Sequence, residues 1–253
     1  MSVVGLPETH RPNLDHLDAR VDLACAFRWT ARLDMHEGIA NHFSYAVSDD
    51  GARFLMNPNG RHFSRIRASD LLLIDANDPE TMERPDAPDP TAWGLHGAIH
   101  RKVPLARCLM HVHSKYATVL ASLADSSMPP IDQNTMRFYG RIAIDEGYDG
   151  MGLGDEAERV AGLICDKPIL VMGNHGVMVV GETIAQTFDE MYYFERACQT
   201  LVTAMMTGRD LRVAPDEVAE KTMRQWLDYP EGADMHLREL KEILDAEAPE
   251  YRA

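Results

Sequence analysis

Two short apolar runs that each lead into histidine constrain the fold of this chain more than any other feature. Residues 108–110 precede His111 and His113, and residues 169–172 are followed shortly by His175. Side chains two apart on a strand point to the same face, so His111 and His113 face the same way. Two strand ends that deliver imidazoles to one point would form a three-histidine site with open positions, which is typical of a catalytic metal.

The histidine spacing alone leaves a plainer alternative open. A single histidine at the end of a strand is commonly a polar residue in a turn. A His-x-His pair can also arise by chance in a chain that contains 11 histidines. The metal hypothesis therefore needs support from other motifs along the chain.

Length and charge limit the classes of protein to consider. A chain of 253 residues with 45% hydrophobic content suffices for one large domain, or one domain with a helical extension. The net charge of −15 repels phosphate backbones and anionic lipid, so we expect neither nucleic acid nor a membrane as partner. No apolar run approaches the roughly 20 residues of a membrane span. The N-terminus does not resemble a signal peptide, which predicts a cytoplasmic protein.

The cysteines agree with that location. They are widely spaced and form no C-x-x-C pair, and each stands among apolar neighbours: Cys25, Cys108, Cys165 and Cys198. We expect buried free thiols in a reducing compartment.

Hydrophobic periodicity predicts an α/β domain in which helices and strands interleave. The predicted helices cover residues 13–35, 93–102, 114–123, 155–165, 183–206, 215–227 and 235–246. The predicted strands cover residues 41–47, 54–56, 71–75, 108–113 and 169–180, the last broken at 174–176. Residues 77–91 and 147–154 read as exposed loops. Ser114 is expected to cap the helix after it, and Asp145 and Glu146 are expected to be solvated loop charges.

Taken in order, several motifs resemble the class II aldolase/adducin superfamily over about residues 20–207. They are Asn-His-Phe-Ser at 41–44, Asn-Pro-Asn-Gly at 57–60, Ala-Ser-Asp-Leu at 68–71, His-Gly-Ala-Ile-His at 96–100, His-Val-His-Ser at 111–114, Asn-His-Gly at 174–176 and Val-Gly-Glu-Thr at 180–183. The resemblance implies a three-layer α/β/α fold with a central, mainly antiparallel sheet. It places a lead-in at 1–19, the family domain at 20–210 and a helical extension at 211–253, and it implies a homo-oligomer, with a tetramer favoured.

The resemblance also implies a divalent metal held by His111, His113 and His175. Zinc is the first expectation, with manganese or iron as alternatives. Enzymes of this superfamily include sugar-phosphate aldolases, epimerases, a dehydratase and decarboxylases. In them the metal acts as a Lewis acid that stabilises the enediolate formed when a C–C or C–H bond breaks.

The chain departs from the sugar-phosphate aldolases at two motifs. Those enzymes carry Pro-Ser-Ser-Glu four residues before the helix histidine, and its Glu is the acid/base; here residues 89–92 read Asp-Pro-Thr-Ala. Ala92 cannot move a proton, and Pro90 offers no hydroxyl. The phosphate-binding Gly-Asn of those enzymes is replaced by Ala40-Asn41, whose added Cβ obstructs a close backbone approach. These departures favour an unphosphorylated substrate.

Several residues are candidates for the missing acid/base and for substrate binding. The catalytic candidates are Tyr139 and His96. The segment that contains Tyr139 passes near the site in relatives, and His96 shares a helix face with His100. The alternative is that both pack structurally. The substrate-binding candidates are Asn41, Lys115 and Thr91.

Three functions remain in competition at the level of sequence. The first is a divalent-metal-dependent lyase, of decarboxylase or aldolase type, that acts on a small unphosphorylated oxo or hydroxy acid or ketone through a metal-stabilised enediolate. The second is a non-heme iron oxygenase acting on an aromatic or hydroxy acid. The third is a non-enzymatic, adducin-like interaction module.

Overall fold

The computed structural model describes residues 15–147, 150 and 155–253. Its helices are α1 (Leu17–Arg32), α2 (Pro90–Lys102), α3 (Lys115–Ala121), α4 (Gln133–Arg137), α5 (Asp155–Ile164), α6 (Ile184–Met206), α7 (Asp216–Leu227) and α8 (Glu231–Glu247). Its strands are β1 (His42–Ala46), β2 (Arg53–Met56), β3 (Leu72–Asp75), β4 (Cys108–Val112), β5 (Ile142–Asp145), β6 (Ile169–Met172) and β7 (Gly176–Gly181). The predicted lead-in up to residue 14 and most of the predicted loop at 147–154 lie outside the described residues.

The seven strands form one sheet in the order β3-β2-β1-β4-β7-β6-β5. Every neighbouring pair is antiparallel except β5 and β6, which run parallel. The expectation of a central, mainly antiparallel sheet is therefore confirmed. In the middle of the sheet, His42 of β1 stands directly opposite His111 of β4.

Helices cover both faces of this sheet, which gives three layers. The larger apolar cluster joins one face to α1, α3, α6 and α8, and a second cluster joins the other face to α2 and α5. Strand β1 shows the alternation that sorts side chains between them. Phe43 belongs to the larger cluster, whereas His42 and Ser44 point to the opposite face, towards α2.

The C-terminal helices pack on the body of the domain. The indole Nε1 of Trp29 donates to the carbonyl of Leu240 at 2.9 Å, and Arg28 forms an ion pair with Glu250 at 2.9 Å. Tyr251 is fully buried in the larger apolar cluster. The tail therefore contributes to the core around α1. None of the described helices combines the length and the hydrophobicity needed to cross a bilayer.

Two of the helices and strands named above were not predicted from the sequence. Helix α4 is a single turn held by a reciprocal cap, in which Asp132 Oδ1 accepts from the amide of Thr135 and Thr135 Oγ1 accepts from the amide of Asp132. Strand β5 is a four-residue edge strand that depends on β6 for its pairing. Neither is long enough to show a clear hydrophobic period.

Helix α2 begins three residues before the predicted start. Asp89 caps it by accepting the amide of Thr91 at 2.9 Å, and Pro90 takes the first helical position, where a missing N–H costs nothing. The end of the predicted loop is therefore the first turn of α2.

One cysteine prediction is wrong. Cys25, Cys108 and Cys198 are buried, but Cys165 is exposed. Cys165 directly follows α5 and has a left-handed backbone conformation (φ 47°), so it does not continue the helical pattern from which its burial was predicted. Burial raises the pKa of Cys25 and of Cys108 to about 12.

Candidate metal centre

Three imidazoles converge at one end of the central strands. The Nε2 atom of His111 lies 3.0 Å from Nε2 of His113 and 3.1 Å from Nε2 of His175. The ligand atoms of all three lie within 4.8 Å of one another. Tetrahedral zinc with bonds of about 2.0 Å holds its ligand atoms about 3.3 Å apart, so this cluster has dimensions that suit such an ion. The sequence-predicted triad is brought together.

Strand geometry orients the first two histidines. His111 is in β4 and His113 follows its last residue, so both project from the same face. The Nδ1 of His111 is 3.0 Å from the carbonyl of Val177 in β7, which can only accept a hydrogen bond. His111 therefore carries its proton on Nδ1 and keeps a lone pair on Nε2, the nitrogen that faces the other two rings.

The turn between β6 and β7 carries His175, and backbone contacts hold it in place. Gly173 donates its amide to the carbonyl of Asp145, and Asn174 donates to the carbonyl of Ala121, each at 2.9 Å. Asn174 adopts a left-handed conformation (φ 56°), which asparagine tolerates better than most residues. The third imidazole is thus fixed by protein contacts on two sides.

Gly176 allows the β6–β7 turn to approach β4. A Cβ atom at this position would lie 2.7 Å from the Cδ2 atom of His113 and 2.7 Å from the carbonyl oxygen of Val112. Both distances are shorter than van der Waals contact. Only glycine fits where the turn and the strand meet, which explains the Asn-His-Gly sequence physically.

Burial keeps the triad in the protonation state that metal binding requires. It lowers the pKa of His175 to about 4, and it also lowers the pKa values of His111 and His113. The neighbouring imidazoles add to this effect at His111 and His175. At neutral pH the three rings are uncharged and can offer lone pairs.

Asn41, a predicted substrate-binding residue, lies beside the triad. Its Oδ1 accepts the amide of Glu37 at 2.6 Å and that of His113 at 3.4 Å. Its buried Nδ2 has no hydrogen-bond partner among the described residues. Asn57 supports this loop: its Oδ1 accepts the amide of Phe43, and its Nδ2 donates to the carbonyl of Asn41.

A buried chain of hydrogen bonds links the triad region to α2. His42 Nδ1 lies 2.7 Å from His96 Nε2, and His96 Nδ1 lies 2.5 Å from Ser44 Oγ. Ser44 Oγ lies 2.7 Å from His100 Nε2, and His100 Nδ1 lies 2.7 Å from the carbonyl of Ala106. At the other end, the ring centroid of His42 is 4.8 Å from that of His111.

His96 has no exposed surface, and both of its ring nitrogens are engaged within this chain. It cannot contact a ligand directly, so any influence on the site passes through His42. Burial lowers the pKa of His42 and of His100 to about 4 and that of His96 well below its usual range. These rings are therefore neutral.

Sequence reasoning missed His42. Its signal was present, because His42 and Ser44 share a strand face and His96 and His100 share a helix face. The two pairs become one chain only when β1 packs against α2.

Three other predicted site residues have partners elsewhere. The hydroxyl of Thr91 donates to Asp89 at 2.5 Å within the cap of α2. Lys115 is exposed, with its ammonium 5.7 Å above the ring of Tyr116. The phenol of Tyr139 hydrogen-bonds the carboxylate of Asp216 in α7, which raises its pKa. Their roles in substrate binding and catalysis stay a prediction.

The expectation that Ser114 caps α3 is wrong. Its hydroxyl donates instead to Glu195 of α6 at 2.6 Å, and it makes no cap hydrogen bond. Glu195 accepts the amides of Tyr116 and Ala117, each at 2.9 Å. A carboxylate from a distant helix therefore satisfies the first amides of α3, which no local sequence signal indicates.

The expectation that Asp145 is a solvated loop charge is also wrong. Its side chain is 2% exposed and forms two hydrogen bonds of 2.8 Å with Arg159 of α5. It ends β5, next to the turn that carries His175. Glu146, in contrast, is exposed as expected. Glu156 lies close enough to His175 for its charge to raise the pKa of that imidazole, against the larger effect of burial.

Comparison with known proteins gives a consistent result. The family model for the Class II Aldolase and Adducin N-terminal domain matches residues 21–202. An aldolase class 2 protein of Caulobacter vibrioides is 31% identical over 215 residues, which are 85% of this chain and 83% of that protein. Decarboxylase NovR of Streptomyces niveus is 28% identical over 204 residues, which are 80% of this chain and 75% of that protein.

A third relative has a different activity in its name. The 4-hydroxy-3-prenylphenylpyruvate oxygenase/4-hydroxy-3-prenylbenzoate synthase of Streptomyces roseochromogenus subsp. oscitans is 27% identical over 204 residues, which are 80% of this chain and 73% of that protein.

Among solved structures, an aldolase II superfamily protein from Pseudomonas syringae aligns with a TM-score of 0.85 and 27% identity, covering 96% of this chain and 98% of that chain. An L-fuculose 1-phosphate aldolase from Glaciozyma antarctica aligns with a TM-score of 0.79, covering 96% of both chains. At 21% identity, the second alignment shows the fold alone.

Proposed function

The chain belongs to the class II aldolase and adducin family, and on that premise we propose that it is a divalent-metal-dependent carbon–carbon lyase, a decarboxylase in the first place. Its substrate is a small unphosphorylated oxo or hydroxy acid. The observation that carries the proposal is the convergence of three neutral imidazoles, with Nε2 atoms 3.0 and 3.1 Å apart, at the end of β4.

The donor set fits zinc, and it also accepts manganese or iron. His111, His113 and His175 would hold the ion. A divalent metal bound there supplies Lewis-acid stabilisation of the negative charge that develops on a substrate oxygen during bond cleavage. The chain itself orients the rings. The carbonyl of Val177 accepts from His111, and the carbonyl of Asp145 accepts from the turn that carries His175. Gly176 lets that turn approach β4.

The absence of a carboxylate at position 92 favours decarboxylation over aldol cleavage. Ala92 is fully buried at the first turn of α2, so no carboxylate is supplied from there. Loss of CO2 needs no base to begin, since the broken C–C bond leaves its electron pair on the substrate, where an adjacent carbonyl would take it up as an enolate or enediolate. The similarity to decarboxylase NovR supports this choice, and retro-aldol cleavage of an unphosphorylated ketone is the variant of the same proposal.

Substrate contacts are proposed for Asn41, Lys115 and Thr91. Asn41 has the strongest support because it is hydrogen-bonded to the amide of His113. Lys115 follows His113 by two residues on an exposed helix start, where a substrate carboxylate would reach it without a desolvation cost. Tyr139 is proposed as the acid/base. We also propose a homo-oligomer, with a tetramer favoured, in the cytoplasm.

An iron oxygenase is the second candidate. It is favoured by the relative from Streptomyces roseochromogenus, whose name includes an oxygenase activity, and by a donor set that also accepts iron. An interaction module without a metal, as in an adducin-type head, is the third.

Metal content tests the proposal. Untagged protein, purified without added metal, is analysed for its elements. About one zinc or manganese ion per chain is the expected result for a three-histidine lyase site. Iron at that stoichiometry would favour the oxygenase. No metal, with none taken up from zinc or iron solutions, would contradict both enzymes and favour the module.

A further inference from the structure

The hydrogen-bond chain between β1 and α2 has a direction that the chemistry of its groups determines. A carbonyl only accepts, so His100 must donate from Nδ1 to Ala106. Neutral His100 then accepts at Nε2, and the hydroxyl of Ser44 must donate to it.

The same logic continues towards the triad. Because the hydrogen of Ser44 is committed to His100, His96 must donate from Nδ1 to Ser44. His96 then accepts at Nε2, so His42 must donate from Nδ1. Every ring in the chain is thus the Nδ1–H tautomer, and Nε2 of His42 is left as a bare acceptor.

His42 lies beside the three histidines. His42 stands opposite His111 in the β1–β4 register, with ring centroids 4.8 Å apart. The two nitrogens of an imidazole point in widely divergent directions, and Nδ1 is turned to His96 on α2. Nε2 has no hydrogen-bond partner among the described residues. The possible metal-ligand atoms that lie within 4.8 Å of one another belong to His111, His113 and His175. His42 is not a member of that group.

The far end of this hydrogen-bond chain indicates that the chain positions His42 and does not conduct protons. It ends on the carbonyl of Ala106, which is 1% exposed and has no proton to exchange. A chain that ends on such an acceptor can be satisfied in one direction only. Its effect is to hold His42 in one tautomer.

We propose that His42 is a specificity-determining residue whose Nε2 accepts a hydrogen bond from a hydroxyl group of the ligand bound at the three-histidine centre. The site therefore selects hydroxy acids over acids of similar shape that have no hydrogen to donate. The proposal rests on the proposed metal centre, and it narrows the substrate class to acids that carry a hydroxyl group, together with the carbonyl that decarboxylation requires.

The first test locates the protons directly. Neutron crystallography of the deuterated wild-type protein shows which ring nitrogens carry deuterium. We expect deuterium on Nδ1 and none on Nε2 of His42, His96 and His100. Deuterium on Nε2 of His42 would overturn the proposal, and this measurement uses only the wild-type protein.

The second test compares two ligands in which the same oxygen carries either a hydrogen or a methyl group. Glycolate and methoxyacetate carry the same oxygens, but only glycolate can donate from the oxygen next to its carboxylate. Calorimetric titration into zinc-loaded protein gives their affinity ratio. If one net hydrogen bond is lost, His42→Phe should lower the ratio of glycolate affinity to methoxyacetate affinity by about three- to tenfold. Any effect of the extra methyl group is the same in the wild type and in the variant.

A matched substitution controls for loss of an imidazole as such. His36 is half-buried and stacked on Phe63, outside the chain and the triad. His36→Phe is expected to keep the wild-type preference for glycolate.

The outcomes separate the two levels of proposal. Zinc-loaded protein in which His42→Phe leaves the glycolate preference unchanged would overturn the role of His42 and leave the metal centre intact. Protein that takes up no zinc would overturn both. Zinc uptake, deuterium on Nδ1 of His42 and a preference lost only in His42→Phe would establish the inference.

Discussion

The carboxylate of Glu195, in the middle of α6, lies 2.6 Å from the hydroxyl of Ser114, the residue that follows His113. It also accepts the first free amides of α3. One buried side chain thus ties the longest helix to the end of the strand that carries two of the three histidines. A contact from another layer of the fold therefore holds the segment that directly follows His113.

Replacing Glu195 by glutamine should lower the free energy of unfolding by about 1–3 kcal/mol, because an amide NH2 cannot accept from the donors that face it. Burial raises the pKa of Glu195 above its ordinary value of 4.5, so the folded state holds this proton more tightly than the unfolded state. Its contribution to stability is therefore present below pH 4.5 and is lost as the pH rises through the folded-state pKa.

The free energy of unfolding of Glu195→Gln should therefore come closer to that of the wild type as the pH rises from 4.5 towards neutrality. Urea unfolding at several pH values measures this difference. Glu239→Gln, at an exposed position on α8, is the control and should change stability by less than about 0.5 kcal/mol. A deficit that widened with rising pH would contradict the assignment.

His111→Ala should abolish metal binding and lyase activity together. His111 is the ring whose Nε2 approaches both of the other two, so its loss leaves two donors without the central one. Metal per chain should fall from about one to near zero by elemental analysis. His36→Ala removes an imidazole outside the triad and should retain the metal; if both variants bound metal equally, the site assignment would be wrong.

Gly176→Ala should destabilise the fold and the centre together. Its Cβ would lie 2.7 Å from both His113 and the carbonyl of Val112, so the turn must move away from β4. We expect a loss of about 1–3 kcal/mol in denaturant unfolding, as for overpacked sites, and weaker zinc binding by competition with a chelator. Gly94→Ala in α2 has open space around its Cβ and should be neutral or stabilising by up to about 1 kcal/mol.

The native protein should present one reactive thiol. Cys165 is exposed, whereas Cys25, Cys108 and Cys198 are buried and burial raises their pKa values, which keeps them as unreactive thiols at neutral pH. Titration with a disulfide reagent should detect one thiol per folded chain and four after unfolding. Cys165→Ser should remove the fast-reacting thiol, and fast labelling that persisted in this variant would contradict the burial of the others.

The sequence was most informative where function and local periodicity coincide. Histidines two apart at a strand end had to share a face, and the Asn-His-Gly turn had to close between two apolar strands. The three-histidine cluster was therefore predictable from residue spacing and the family resemblance. Helix and strand positions followed from periods of 3.6 and 2 wherever the element was long enough to show them.

Two of the missed features join residues that meet only when helices pack on the sheet. The ion pair that buries Asp145 needs Arg159 on α5, and the cap of α3 needs Glu195 from α6. Each of these carboxylates looks solvated when only its neighbours are considered. Burial of a charge depends on which helix packs beside it, and that information is not local.

The pairing of His42 with His111 also bears on how the chain avoids a misaligned sheet. A slip of β1 by one residue would turn every one of its side chains to the opposite face. Phe43 would leave its contacts with Phe27 and Phe63, at centroid distances of 4.6 and 5.1 Å, and His42 would enter that apolar layer without a partner. A buried imidazole without its hydrogen bond costs about 1–3 kcal/mol. The histidine chain therefore penalises the wrong alignment of β1, which makes it a determinant of folding fidelity.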